Sequence, residues 1–240
     1  MIELFRKYRE EIFVGFYTGA YPTGNWDRQA WTLRTNNVIC VNNLKSLCTR
    51  FLKRSFDVVT ATILLVGIFS WLFPVVALLI KLDSRGPVFF IQKRTGLNRK
   101  SFNIIKFRTL YVNEEANRQR VKEGDNRITR IGFYLRKYFI DEVPQLINVL
   151  KGDMSMVGPR PLMLWDNVRD ARLIEYYHDR HKVKPGLTGL AQIRGHHGHM
   201  TNYRDLLNRF YSDIEYIENW SWFRDLIIIF GTFIHIIKNT

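Results

Sequence analysis

Cysteine is scarce in this chain, acids are outnumbered, and outside one stretch there is no long apolar run. Two cysteines, Cys40 and Cys48, stand among 240 residues. With no second pair and no histidine beside them, they supply neither a disulfide framework nor a zinc site. They read as reduced thiols of a cytoplasmic setting. Aspartate and glutamate number 22 against 36 lysines and arginines, which leaves a formal charge of +14. That balance calls for an anionic partner: nucleic acid, a phosphorylated small molecule or an acidic lipid surface. No internal repeat or low-complexity tract is evident, and the length suits one ordinary domain with an appendage.

The apolar exception runs from Val58 to Ile80, VVTATILLVGIFSWLFPVVALLI, 23 residues without a charge. At about 1.5 Å per helical residue it reaches roughly 35 Å, the thickness of a bilayer core. It begins too far into the chain for a cleavable signal and lacks a small-residue cleavage pattern. Positive residues flank both ends: Lys45, Arg50, Lys53 and Arg54 before it, and Lys81, Arg85, Lys93, Arg94, Arg99 and Lys100 after it. A single crossing normally shows asymmetry in its flanking positive charge. The expectation is therefore a segment that enters and leaves one face, bent at Pro74, whose missing N–H strands the carbonyl of Ser70. The Ser70 hydroxyl is available to satisfy a freed backbone group there. A spanning helix with a tolerated proline is the alternative.

Before this segment, residues 1–20 place apolar side chains near helical spacing, followed by a loop at YPTGNWDRQ. Residues 1–48 carry no assignable function. After it, GPVFFIQKRTG and FNIIKFRT read as two short strands of a small sheet. LYVNEEANRQRVKEG and DNRITRIGFYLRKYF read as polar helices. Near the C-terminus, NWSWFRDLIIIFGTFIHII holds an apolar run too short to span. That helix is expected along a membrane interface or packed under the re-entrant element, with Trp220 and Trp222 at headgroup level.

The segment FIDEVPQLINVLKG carries the chemistry. Val143, Leu146, Ile147 and Leu150 recur at helical spacing, and Gly152 closes the helix where glycine is favoured. Pro144 sits in the first turn, where its missing N–H costs nothing. Asp141 and Glu142 thus stand at the positive end of a short helix, a place that also favours phosphate. Two adjacent carboxylates oppose each other's ionisation unless a cation stands beside them. Mg²⁺ is commonly held by one or two carboxylates plus substrate phosphates, and an aspartate can serve as a nucleophile toward phosphorus. The plainer alternative makes Asp141 an N-cap and Glu142 a residue favoured by the helix dipole.

The ordered series FLKRSFDVVTATILLVGIF, GPVFFIQKRTG, FNIIKFRT, IDEVPQLINVLKGDMSMVGPRP, RHKVKPGLTGLAQIRG and YIENWSWFRDLIIIF resembles the bacterial sugar transferases, monotopic phosphoglycosyl transferases. The likeness covers residues 49–240, which are expected to form the transferase domain, with 58–80 as its membrane element and 1–48 as an extension. The fold expected is α+β, mainly α, with a re-entrant helix, a small β-sheet and interfacial helices.

What the resemblance implies is transfer of a sugar 1-phosphate from a UDP-sugar to undecaprenyl phosphate, releasing UMP, at the start of cell-surface glycan assembly. The setting it implies is the cytoplasmic face of the bacterial inner membrane, with membrane lipid and no nucleic acid as partners and a homodimer left open. By the same likeness Asp141 is the nucleophile that takes the phosphosugar, and Glu142 holds Mg²⁺. Arg160, in the turn Gly158-Pro159-Arg160-Pro161, grips phosphate in bidentate fashion. Arg136, Lys106, Arg108, Lys184 and Arg94 are further phosphate contacts by similarity. Each has an ordinary solvated-surface alternative in so basic a chain.

Three departures stand out. Phe73-Pro74 replaces the family's usual Ser-Pro break, Leu190 stands where many relatives carry Trp, and Arg194 replaces a frequent Asn or Ser, which unsettles sugar and uridine contacts. His196, His197 and His199 crowd one loop without a fourth ligand for a metal. The loop's place in the chain favours a hexose such as glucose or galactose over an acetamido sugar. The reading from a different class is a non-catalytic basic membrane protein that binds anionic lipid or nucleic acid.

Overall fold

The computed structural model describes residues 46–112, 121, 124–196 and 203–238. The readings for residues 1–20, for Cys40, for His197 and His199, and for most of LYVNEEANRQRVKEG lie outside the described residues.

The apolar segment forms two helices, α1 (Leu47–Ile63) and α2 (Phe69–Asp83), joined by a π turn over Leu64–Ile68. The two are bent by 60° at that junction. The bend expected at Pro74 therefore lies earlier, and Pro74 sits inside α2. In the π turn the Phe69 N–H reaches back five residues to the Leu64 carbonyl, and Gly67 contributes no side chain to stiffen the backbone. Ser70, whose carbonyl Pro74 leaves without its donor, is in the first turn after the break, so the proline's cost falls at a helix end already rearranged. Among the described residues no single helix is long and apolar enough to cross a membrane.

Both expected strands form. β1 (Phe89–Thr95) and β2 (Ser101–Phe107) pair antiparallel from Phe89↔Phe107 to Thr95↔Ser101. Phe73 of α2 packs 5.1 Å from the Phe107 ring, and Phe89 stacks on Phe107 at 5.6 Å, so the hairpin is seated on α2 by aromatic contact. α3 (Arg130–Lys137) starts where the Thr129 hydroxyl accepts from the Gly132 N–H, a side-chain N-cap. It is shorter than DNRITRIGFYLRKYF suggested. Gly132 is obligatory: a Cβ there would collide with the Thr109 carbonyl.

α4 (Gln145–Lys151) is the helix read from Val143 to Leu150, and Gly152 closes it in the left-handed region at φ 90°. β3 (Ser155–Val157) and β4 (Gly186–Thr188) then pair in parallel. This second two-stranded sheet escaped the sequence reading, because three-residue strands carry no periodic signal. α5 (Leu164–Leu173), α6 (Leu190–Ile193), α7 (Tyr203–Glu218) and α8 (Trp222–Lys238) complete the described chain.

The main core gathers Ala61 of α1, Ile104 of β2, Leu146 and Val149 of α4, Met156 and Val157 of β3, Tyr216 and Ile217 of α7, and Ile228 of α8. A polar knot runs through it. Asp225, fully buried, accepts from Lys53 Nζ at 2.7 Å, the Tyr216 hydroxyl at 2.9 Å and Trp220 Nε1 at 3.2 Å. Trp220 is thus buried inside the protein, and Trp222 is partly buried, its ring edge-on to Phe56 of α1 at 5.5 Å. The Trp220 indole N–H and the Asp225 carboxylate satisfy each other inside, while the Trp222 ring packs edge-on to Phe56 and Trp220. Outward, α8 leaves Phe223, Leu226, Ile227, Phe230, Phe233, Ile234 and Ile237 exposed.

Candidate active site

After α3 the chain reverses through Phe139, held at φ 57°, a conformation uncommon for a bulky residue and maintained only where its surroundings over-determine it. A 3₁₀ turn, Ile140–Glu142, follows and precedes α4. The acids therefore sit one turn ahead of the helix they were expected to cap. Both are buried, Asp141 at 6 % exposure and Glu142 at 9 %.

Two cations converge on Glu142. Lys106 Nζ, from β2, lies 2.6 Å from Oε1, and the Arg160 guanidinium is bidentate, 2.6 Å from Oε1 and 3.1 Å from Oε2. Burial opposes ionisation of this carboxyl, but the charges and hydrogen bonds of Arg160 and Lys106 outweigh it and hold Glu142 well below the usual range. Asp141 is the opposite case. Its carboxylate accepts no hydrogen bond from a described residue, and burial pushes it up to about 6; Lys106, Arg136 and Arg160 oppose that rise and the Glu142 charge adds to it. Two neighbouring acids are thus driven apart, Glu142 lowered by the two cations it bonds and Asp141 raised by burial to about 6. Such a split assigns different tasks to two carboxylates.

Asn148, which the sequence reading passed over, builds this geometry from below. Its side chain is 1 % exposed, accepts from the Ile105 N–H at 3.0 Å and donates to the Asn103 carbonyl at 2.7 Å. It pins β2, and with it Lys106, to the helix that follows the acids. Arg160 is held from behind by Arg180, whose Nη2 donates to the Arg160 carbonyl at 3.0 Å while its guanidinium pairs with Asp213 at 2.6 Å.

The sequence model for the family described as bacterial sugar transferase matches residues 48–239. The chain belongs to that family. Among its curated relatives, an undecaprenyl-phosphate glucose phosphotransferase of Komagataeibacter xylinus is 47 % identical over 186 residues, covering 75 % of this chain and 35 % of that protein. A UDP-glucose:undecaprenyl-phosphate glucose-1-phosphate transferase of Caulobacter vibrioides is 46 % identical over 182 residues, 75 % of this chain and 67 % of the relative. A UDP-N-acetylgalactosamine-undecaprenyl-phosphate N-acetylgalactosaminephosphotransferase of Aeromonas hydrophila is 43 % identical over 183 residues, 76 % of this chain and 43 % of the relative. The transferase chain described here thus spans little more than a third of the length of the first of these relatives.

Of the residues expected at the site, Lys106, Arg160, Asp141 and Glu142 come together. Arg136 lies close enough for its charge to act on Asp141, and it reaches the Thr109 hydroxyl at 3.4 Å. Arg94 donates to Gln92 Oε1 at 2.5 Å and to the Pro161 carbonyl at 3.4 Å, and its charge reaches Lys106. Arg108 is placed elsewhere. It is buried and its guanidinium donates to the carbonyls of Arg85 at 2.6 Å and Ser84 at 2.8 Å, closing the end of α2.

Lys184 also stands apart, half-buried beside Arg54, and burial together with the Arg54 charge lowers its pKa. Gly158 and Pro159 act through backbone: the Gly158 N–H donates to the Thr188 carbonyl at 2.9 Å and the Pro159 carbonyl accepts from Gly186 at 3.0 Å. A Cβ on Gly158 would lie 2.5 Å from the Lys184 carbonyl, so only glycine lets the two segments approach this closely. Arg194, thought to bear on sugar or uridine contacts, instead pairs in bidentate fashion with Glu215 at 2.5 and 3.0 Å, and Arg224 joins them at 2.6 Å. His196 gives its carbonyl to Arg209 at 3.1 Å, and the described residues contain no cluster of three metal-ligating side chains.

Proposed function

We propose that this chain transfers a sugar 1-phosphate from a UDP-sugar to undecaprenyl phosphate, with release of UMP, as the initiating step of exopolysaccharide, capsule or O-antigen assembly. The observation that carries the reading is the unequal setting of two adjacent buried acids: Glu142 is gripped by Lys106 and Arg160, and neither of these cations bonds Asp141. An Asp141 carboxylate oxygen attacks the sugar-side phosphorus of the donor. The bond from that phosphorus to the bridging oxygen breaks, and UMP departs with the electron pair. A phosphate oxygen of the lipid then attacks the aspartyl phosphosugar, restoring the carboxylate. Lys106 and Arg160 lie where the charge of the diphosphate collects, and a guanidinium fork suits phosphate as well as carboxylate.

Two adjacent carboxylates and a diphosphate form the donor set that Mg²⁺ prefers, so Glu142, with Asp141 beside it, fits as its protein ligand once Lys106 and Arg160 shift their bonds toward phosphate. Bound there, the ion would neutralise charge on the diphosphate and on departing UMP.

The donor sugar proposed is a hexose, glucose being the sugar in the names of the Komagataeibacter and Caulobacter relatives. The Aeromonas relative, named for an N-acetylated sugar at 43 % identity, makes a panel of UDP-sugars the direct way to choose. We place the bent pair α1–α2 in one leaflet of the cytoplasmic membrane and α8 along its surface, on the strength of their exposed apolar faces and the cations at both ends of the segment.

The decisive experiment supplies membranes containing the protein with sugar-labelled UDP-sugar and Mg²⁺ but no acceptor. UMP should appear in one equivalent with label retained on protein, and Asp141→Asn should abolish both. Normal polyprenol product from Asp141→Asn would remove Asp141 as nucleophile. Salt-sensitive binding of nucleic acid with no UMP release would favour a basic binding protein instead.

A further inference from the structure

Glu142 and Arg160 meet at 2.6 Å although 18 residues separate them. The chain between them runs through α4 and β3, and both elements are tied to the same stretch of α1. Arg54 donates Nη1 to the Val149 carbonyl at 2.5 Å and Nη2 to the Leu150 carbonyl at 2.8 Å. These are carbonyls of the last turn of α4, that of Val149 also accepting from the Gly152 N–H at 3.0 Å, and a cation at that end matches the helix dipole. Three residues on, and so on the same face of α1, the Asp57 carboxylate accepts from the Ser155 hydroxyl and the Met156 N–H, both at 3.0 Å. Asp57 is 2 % exposed and lies 3.9 Å from Lys53, which also bonds Asp225 at 2.7 Å.

α4 begins three residues after Glu142, and β3 ends three residues before Arg160. We propose that Arg54 and Asp57 are positioning residues. By gripping α4 and β3 from one helical face, they set the separation at which Arg160 meets Glu142, and they make the placement of the acids depend on the seating of the apolar helix pair. The chemistry named in the readouts rests on the reading under Proposed function. The coupling itself does not.

Neither residue touches the acids, so loss of either should act through them. Removing the ties lets Arg160 and Lys106 drift from the acid pair. In purified, folded Arg54→Ala the rate of UMP release should fall about tenfold to a hundredfold, the scale of a displacement near 1 Å. The loss should fall on kcat, and the KM for donor should change far less. Arg54→Lys, which keeps the charge and one donor, should recover part of the rate, and Asp57→Asn should repeat the pattern through β3.

Hydrogen–deuterium exchange gives a readout independent of activity. Amides of 140–146 and 156–160 should exchange about tenfold faster in Arg54→Ala, while those of α3 stay unchanged. An unchanged rate of UMP release, or unchanged exchange in both segments, overturns the inference. Absence of UMP release from the wild-type chain overturns the catalytic reading alone, and exchange then decides the coupling. Should Arg54→Ala fail to fold, Arg54→Lys and Asp57→Asn carry the same comparisons.

Discussion

Asp141 and Glu142 share one turn and one buried environment, yet Lys106 and Arg160 both hydrogen-bond Glu142 and neither bonds Asp141. The consequence for pH follows in sign as well as size. Burial favours the neutral acid, so Asp141 carries its negative charge above about pH 6 and loses it below. Its attack on phosphorus requires the charged form. The rate of UMP release should therefore fall about tenfold for each unit below pH 6, a limb roughly two units above that of an ordinary aspartate. The groups facing it that shape this limb are Lys106, Glu142, Arg136 and Arg160. A limb near pH 4, measured on the donor half-reaction alone, would show that Asp141 is better solvated than the structure describes.

At the scale of elements, the site is a junction of three short pieces: β2 brings Lys106, the 3₁₀ turn before α4 brings the acids, and the segment after β3 brings Arg160. Asn148 joins the first to the second through two backbone bonds. Asn148→Ala would leave the Ile105 N–H and Asn103 carbonyl without their partner inside the protein. The expected cost is about 1–3 kcal/mol, read as a lowered unfolding midpoint in denaturant, and Lys106 should lose its fixed approach to Glu142. The helix α4 itself was legible in advance, because Val143, Leu146, Ile147 and Leu150 keep helical spacing and Gly152 ends it. The parallel pairing of β3 with β4 was not, since it depends on Gly158 and Gly186 letting two distant backbones touch.

Across the whole molecule the exposed apolar surface has a pattern. Val59, Ile63, Val66, Trp71, Val75, Leu78 and Leu82 point outward on the bent pair, and seven large side chains do so on α8. Exposed apolar area of this extent on a folded chain marks an interaction surface, and the partner proposed for it is a membrane leaflet. If the pair dips into one leaflet and returns, Cys48, exposed before the bend, and a cysteine introduced by Asn98→Cys, exposed after it, should react with an impermeant maleimide from the same side of an intact membrane. Labelling from opposite sides would require a true crossing. The apolar run and its cationic flanks were plain in the chain; the site of the bend was not. Proline was the expected hinge by its chemistry, whereas the helix actually yields at Leu64–Ile68, where a π turn and Gly67 come together.

Some properties are local and so were settled by the amino-acid order alone: the apolar segment, the hairpin strands, the helix after the acids, and the adjacency of Asp141 to Glu142. Others depend on which distant groups meet after burial. Folding alone decided that Arg108 would close a helix and Arg160 would hold Glu142, and that Lys184 would stand apart while Asn148 and Arg180 would brace the site. An arginine's reach is the same everywhere in a sequence, but its partner is selected by the packing that removes water and leaves one carboxylate or carbonyl within range.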